Sequence, residues 1–398
     1  MKTRHFFQII FLGGLGTIWL SWLSVCAETS YSLGIDIDSA FDSNATLSPE
    51  WNDQDTDTAV IDITPWVRID WKTPRNDFRM DIRSIATFYP NTDHLDEHLS
   101  IDSQSWWTFA FTDSFFFAYE DVFDYSGQGE YTIDRPEFTG DFMEYVSRPG
   151  LRMIGSQFQA NLDLIWGMME WENMPDASMP GLRGVDWHDL GFKASGSFEV
   201  ISAMTFFGDC SIVNREFADD ESVPEAEIAD ASAGFKSILP SGTVIILKGL
   251  MFHIDYGGTP PRHTESDYHK YGARVDVEHR TNAHWNFSVS GYSEFKPSSR
   301  DPRLFYRDAG FSGSMTFRPW DAYTVGIIAR HDRLNYHGLE IETEEDVYQA
   351  ELMVSYQVTG WFRLTGRIRH FQRDTATREQ EIDSTRFGIR CSFILPAF

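Results

Sequence analysis

The chain has 398 residues, with 60 Asp+Glu against 33 Lys+Arg and a formal net charge of −27. Duplex nucleic acid is excluded as a partner, because binding it needs a basic face. A mean hydropathy of −0.34, with no apolar run of roughly 18–20 residues after residue 30, excludes a helical inner-membrane protein.

At the N-terminus, Lys2 and Arg4 precede an apolar run from Ile9 to Leu23, and Val25-Cys26-Ala27 forms a small-x-small site. This is the pattern of a secretory signal peptide. Residues 1–27 are therefore expected to be cleaved, leaving 28–398 as one mature domain. Lipid attachment at Cys26 is the lesser reading, since Val25 is a poor residue before a lipidated cysteine. Losing Lys2 and Arg4 takes the charge from −27 to −29. Cys210 and Cys391 remain, too few for a disulfide framework or a Cys-rich metal site.

From Ser30 onward the hydrophobic period is two, the signature of strands. Ile61, Ile63, Val67, Ile69 and Trp71 alternate with Asp62, Thr64, Arg68 and Asp70. Phe78, Met80 and Ile82 alternate with Arg79, Asp81 and Arg83, and the pattern recurs through Tyr348–Tyr356. The first predicted strands lie at 31–39, 59–71, 76–88, 98–111, 114–124, 141–154, 157–170, 185–197 and 200–214. The rest lie at 227–238, 243–256, 268–280, 283–296, 304–318, 322–335, 345–358, 361–374 and 381–396. Tight turns such as Pro240-Ser241-Gly242 and Thr359-Gly360 alternate with longer, acid-rich connections. Short turns on one rim and long loops on the other characterise an outer-membrane barrel. The expected fold is all-β: an antiparallel, up-and-down transmembrane barrel of about 18 strands, or 16 if two lie outside the membrane. An even count puts both termini on the short-turn side.

Aromatic residues make up 15% of the chain. Trp71, Trp107, Trp166, Trp285, Tyr336, Tyr356, Trp361 and Phe393 fall near strand ends, as interfacial girdles require. The acidic runs at Asp53, Asp55 and Asp57, at Asp219, Asp220 and Glu221, and at Glu342, Glu344, Glu345 and Asp346 are assigned to long loops. Such runs either are simply solvated or hold divalent cations against lipopolysaccharide.

The stretch WFRLTGRIRHFQRD, from Trp361 to Asp374, sets Arg363, Arg367, Arg369 and Arg373 all at odd positions. Phe362, Leu364 and Ile368 hold even ones. A lipid-facing Arg costs about 2–4 kcal/mol at the bilayer midplane, so the arginines are expected to face the lumen. Arg386 and Arg390 on the next strand join the same wall. Elsewhere the inferred lumen mixes signs, as in Arg68 with Asp70, and Arg79 and Arg83 with Asp81. Such a wall reads either as an anion track or as lumen charge balanced by carboxylates. Trp66 and Trp106 are candidate rings for stacking on sugars.

No GxSxG, HExxH, Walker or dinucleotide motif is present, so neither an enzyme nor a cofactor is expected. His263, His269 and His279 lack metal-site spacing and read as ordinary loop and lumen histidines. The first strand starts soon after the expected cleavage site, which argues against the plugged barrel of a TonB-dependent receptor. Gating is left to loops such as 125–140 or 171–184.

Three late segments resemble the β-barrel porin 2 group, which includes barrels encoded with exopolysaccharide systems: YTVGIIARHDRLNY, DVYQAELMVSYQVTGWFRLTGRIRHFQRD and DSTRFGIRCSF. The early hairpin ITPWVRIDWKTPRNDFRMDIRSIATFYP is similar to that group's, and the terminal Phe398 resembles a barrel assembly signal. The resemblance implies a passive pore exporting an exopolysaccharide across the bacterial outer membrane. Its partners would be outer-membrane lipid and lipopolysaccharide, the polysaccharide or a small polar solute, and periplasmic export machinery. The alternatives are a general small-solute porin and a structural or adhesive barrel with a closed lumen.

Overall fold

The computed structural model describes residues 28–43, 58–90, 98–126, 141–173, 186–218, 225–257, 266–297, 305–337, 343–375 and 382–395. The expected signal peptide, Cys26, His263, Phe398, the suggested gating segments and most of the acidic runs lie outside these residues.

Period-two alternation becomes eighteen strands. They are β1 (Glu28–Asp42), β2 (Thr58–Lys72), β3 (Asn76–Phe88), β4 (His98–Thr112), β5 (Phe115–Ser126), β6 (Asp141–Ile154), β7 (Phe158–Asn173), β8 (Trp187–Ile201) and β9 (Met204–Phe217). There follow β10 (Glu225–Ile238), β11 (Thr243–Tyr256), β12 (Asp267–Arg280), β13 (Trp285–Pro297), β14 (Phe305–Phe317), β15 (Tyr323–His337), β16 (Thr343–Thr359), β17 (Phe362–Thr375) and β18 (Ile382–Leu395). Each pairs antiparallel with its chain neighbours, and β1 pairs with β18 from Leu33↔Leu395 to Asp42↔Arg386. That last ladder closes the sheet. Closure leaves no backbone edge to lipid, which an open sheet could not achieve.

Local chemistry sets the tight turns. In the β10–β11 turn Gly242 has φ +80°, a conformation that favours glycine. Between β12 and β13 the Asn282 carboxamide oxygen accepts from the backbone N–H of His284 at 2.8 Å and of Trp285 at 3.1 Å. Thr73 does the same for Asn76 at 2.9 Å before β3. Such side-chain mimicry of a backbone turn is what Asn and Thr offer.

Alternation then sorts the faces. Tyr31, Leu33, Ile37 and Phe41 of β1, Leu190 and Phe192 of β8, and Leu364 and Ile368 of β17 all face out and are exposed. This apolar belt around a closed barrel places the chain in an outer membrane. Trp71, Trp107, Trp166, Trp285, Tyr356 and Phe393 share the outward face by register. Tyr336 does not. Its neighbour in register is Tyr306, and both point inward among Leu334, Val347, Phe371 and Ile382. Two more expectations need correction. Glu344, Glu345 and Asp346 belong to β16 rather than to a loop, and Glu345 points inward against Arg373. His269 and His279 share the outward face of β12 with Tyr271 and Val275, because their pairing partners His253 and Thr243 alternate with lumen residues. Cys210 on β9 and Cys391 on β18 are both free.

Candidate functional site in the lumen

The lumen wall is built from register. Arg369 sits opposite Arg386, Thr365 opposite Arg390, and Arg367 opposite Gly388. Across the closing ladder Arg386 meets Asp42 and Arg390 meets Asp38. The four arginines of β17 and the two of β18 thus form one contiguous inward surface.

Carboxylates from adjacent strands engage most of it. Asp38 is buried and accepts from both Arg367, at 2.7 Å, and Arg390, at 3.2 Å. Arg386 reaches Asp62 on β2, two strands away, and Arg373 pairs with Glu345. Arg363 has a different partner: its Nε donates to the Gln357 carboxamide oxygen at 2.8 Å. Arg369 faces Glu351 in register on one side and Arg386 on the other.

The arc continues through β2, β3 and β4. Arg68 Nε donates to Asp81, and Arg79 reaches Asp81 at 3.2 Å and Asp70 at 3.9 Å. Trp106 lies beneath the Arg79 guanidinium, 5.7 Å from ring centroid to Cζ. That stack is a cation–π contact, so Trp106 supports Arg79. Trp66 sits over Gly34 instead. A Cβ at Gly34 would come within 2.3 Å of the Trp66 indole, so only glycine admits the ring there.

These elements enclose a cavity of about 780 Å³ on the turn side of the lumen. Its wall holds Trp66, Arg68, Arg83, Arg318, Arg363 and Arg390, with Asp36, Asp81 and Asp321 among them. Of the residues singled out in the sequence, Trp66, Arg68, Arg83, Asp81, Arg363 and Arg390 meet here. Arg367, Arg369, Arg373, Arg386, Arg79, Asp70 and Trp106 do not line it. Arg318 was missed, since it follows β14 in a turn where alternation carries no information. Asp38 and Asp62 were missed as partners because they meet the arginines only through barrel closure. The one available signal was the alternating GIDID run of β1.

The loop-side half of the lumen is different in kind. Phe142, Met169, Trp187, Phe217, Ile228, Phe252, Ile254 and Tyr256 form one buried apolar cluster. A second cluster, around Leu334 and Tyr336, faces it from β14–β18. Buried ion pairs accompany them. Arg215 grips Asp189 through two 2.8 Å bonds and packs its guanidinium 3.9 Å from the Trp187 ring centroid.

Known proteins share the architecture. The barrel superposes on OccAB3 of Acinetobacter baumannii with a TM-score of 0.51 and 10% identity, covering 93% of this chain and all of that one. OpdK of Pseudomonas aeruginosa, solved with vanillate, gives 0.50 at 7% identity over 92% of this chain and 99% of its own. The FrpB iron transporter of Neisseria meningitidis gives 0.50 at 9% identity, with 86% of this chain matched to 62% of that one. At such identities the likeness establishes the outer-membrane barrel fold. No known family's sequence profile matches the chain. Nor does any curated protein match it in sequence.

Proposed function

We propose that this barrel is a passive outer-membrane channel for small polar solutes, with a preference for anions set at the turn-side cavity. One observation carries the reading. Arg83, Arg318 and Arg363 converge on a single cavity, and no carboxylate among the described residues ion-pairs with them. Guanidiniums left without acidic partners beside a water-accessible space attract anions while holding them loosely, as conduction requires. Arg68 and Arg390 share the wall with their charge already engaged, and Trp66 offers a flat apolar surface for a ring. The engaged arginines Arg367, Arg373 and Arg386 shape the wall above.

Two points favour small solutes over the exopolysaccharide implied by the resemblance. The structural neighbours include a channel solved with vanillate, a small aromatic carboxylate. Among the described residues the loop-side lumen carries two apolar clusters shielded from solvent.

The test is single-channel conductance of the folded protein in a planar bilayer under a salt gradient. The expected record is an open channel whose reversal potential favours anions. Vanillate should block it, and an acidic oligosaccharide should leave it unchanged. Block by the oligosaccharide instead would restore the polysaccharide reading. A folded barrel that never conducts would eliminate an open channel and leave a structural role.

A further inference from the structure

His253, on β11, and His269, on β12, are register partners on the outward face, one step inside the Asp255↔Asp267 pair at the loop-side rim. Their imidazoles stack with centroids 4.3 Å apart and planes 16° from parallel. Asp267 caps the pair: its Oδ1 lies 3.3 Å from His253 Nδ1 and 3.4 Å from His269 Nε2. All three donor atoms lie within 4.8 Å of one another. Donors set about 2.0–2.1 Å from a tetrahedral metal stand roughly 3.3 Å apart. The two measured separations match that spacing.

The orientation of the donors adds to this. His253 Nδ1 is buried, yet it makes no hydrogen bond. At 3.3 Å from a carboxylate oxygen it is close enough to make one, so the two are not aimed at each other. Because nearly parallel rings cannot both aim a lone pair at one ion, binding requires one imidazole to turn out of the stack.

We propose that His253, His269 and Asp267 form a binding site for a divalent transition-metal ion on the outer rim of the barrel. Two imidazoles and one carboxylate suit zinc, nickel or copper, whereas calcium and magnesium prefer all-oxygen sets. Asp255, exposed beside Asp267 in the ladder, lies outside the group of converging donor atoms, so water completes the coordination. Tyr271, exposed one step toward the belt, is the kind of ring that anchors at the headgroup interface. No HxH-type motif announces it: the two histidines are sixteen residues apart in sequence (269 minus 253) and are joined only by the hairpin.

Equilibrium dialysis of the detergent-folded protein, without a polyhistidine tag, against zinc tests the proposal. One zinc per chain is expected. His269→Ala and Asp267→Asn should each weaken binding at least tenfold, and His188→Ala, at an outward position of β8, should not. Copper loaded in place of zinc should show two nitrogen ligands by electron paramagnetic resonance, falling to one in His253→Ala. Heat-modifiability on gels confirms that each variant is folded. Zinc binding that survives His253→Ala, His269→Ala and Asp267→Asn alike, or that calcium displaces at equal concentration, would overturn the site in favour of a diffuse acidic rim. So would a folded wild-type barrel that binds no zinc. Channel conductance plays no part in this readout.

Discussion

The two halves of the lumen solve the same problem in opposite ways. On the loop side charges are buried and ion-paired: Asp38, Arg373, Arg386 and Arg215 are each less than a tenth exposed and held in ion pairs. On the turn side Arg83, Arg318 and Arg363 are exposed and form no ion pair among the described residues. A buried charge must be paired because its lost hydration is otherwise uncompensated. An exposed one keeps its water and stays available to a ligand. The loop-side charges therefore serve the fold, and the turn-side charges are free to serve a solute.

Substitutions in the two halves should part accordingly. The largest effect is expected at Asp38→Asn, which orphans Arg367 and Arg390 together. Removing one partner of a buried pair costs about 3–5 kcal/mol, read as a lower urea midpoint of the barrel folded in vesicles. Met169→Ala, in the loop-side apolar cluster, should cost about 2–5 kcal/mol through the cavity left behind. An unchanged midpoint would mean the cluster does not brace the barrel. Gly34→Ala should cost about 1–3 kcal/mol by overpacking against Trp66. It should also alter conductance, because the displaced indole lines the cavity. The smallest stability effect, within about 0.5 kcal/mol, is expected for Arg83→Gln, Arg318→Gln and Arg363→Gln combined. That variant should nonetheless lose most of the anion preference in reversal potential. If its stability falls like that of Asp38→Asn, the contrast between the halves collapses.

A second contrast runs across the wall itself. Outward positions away from the rims are mostly apolar, but Asp121 in the middle of β5 faces out and accepts from the Tyr145 hydroxyl at 2.8 Å. Its hydrogen bond compensates part of the cost of a carboxylate in the belt. Tyr119 also hydrogen-bonds Asp121, so Tyr145→Phe should destabilise the barrel by only about 0.5–1.5 kcal/mol, the net worth of one hydrogen bond, measured by the same urea titration.

Much of this molecule was legible along the chain. A period of two is a local property, so strand positions, the inward set of arginines and the lipid-facing Leu364 and Ile368 followed from spacing alone. The cost of an arginine in lipid left one orientation for β17. Alternation of turn and loop lengths gave the strand count and put both ends of the barrel on one rim. Partnership was not legible. That Asp38 neutralises Arg367 and Arg390 depends on β1 meeting β18, a contact between opposite ends of the chain. Arg318 enters the cavity from a turn, where parity says nothing. Tyr336 and Glu345 were misplaced at strand ends, where local pattern cannot separate rim from lumen. His253 and His269 meet only through the register of one hairpin. Sequence by itself determined which side of the wall each strand residue occupies, because that follows from pleat and solvent. Which charges are spent on one another and which stay free was decided by closure and register, because electrostatic pairing depends on distances that only the assembled barrel creates.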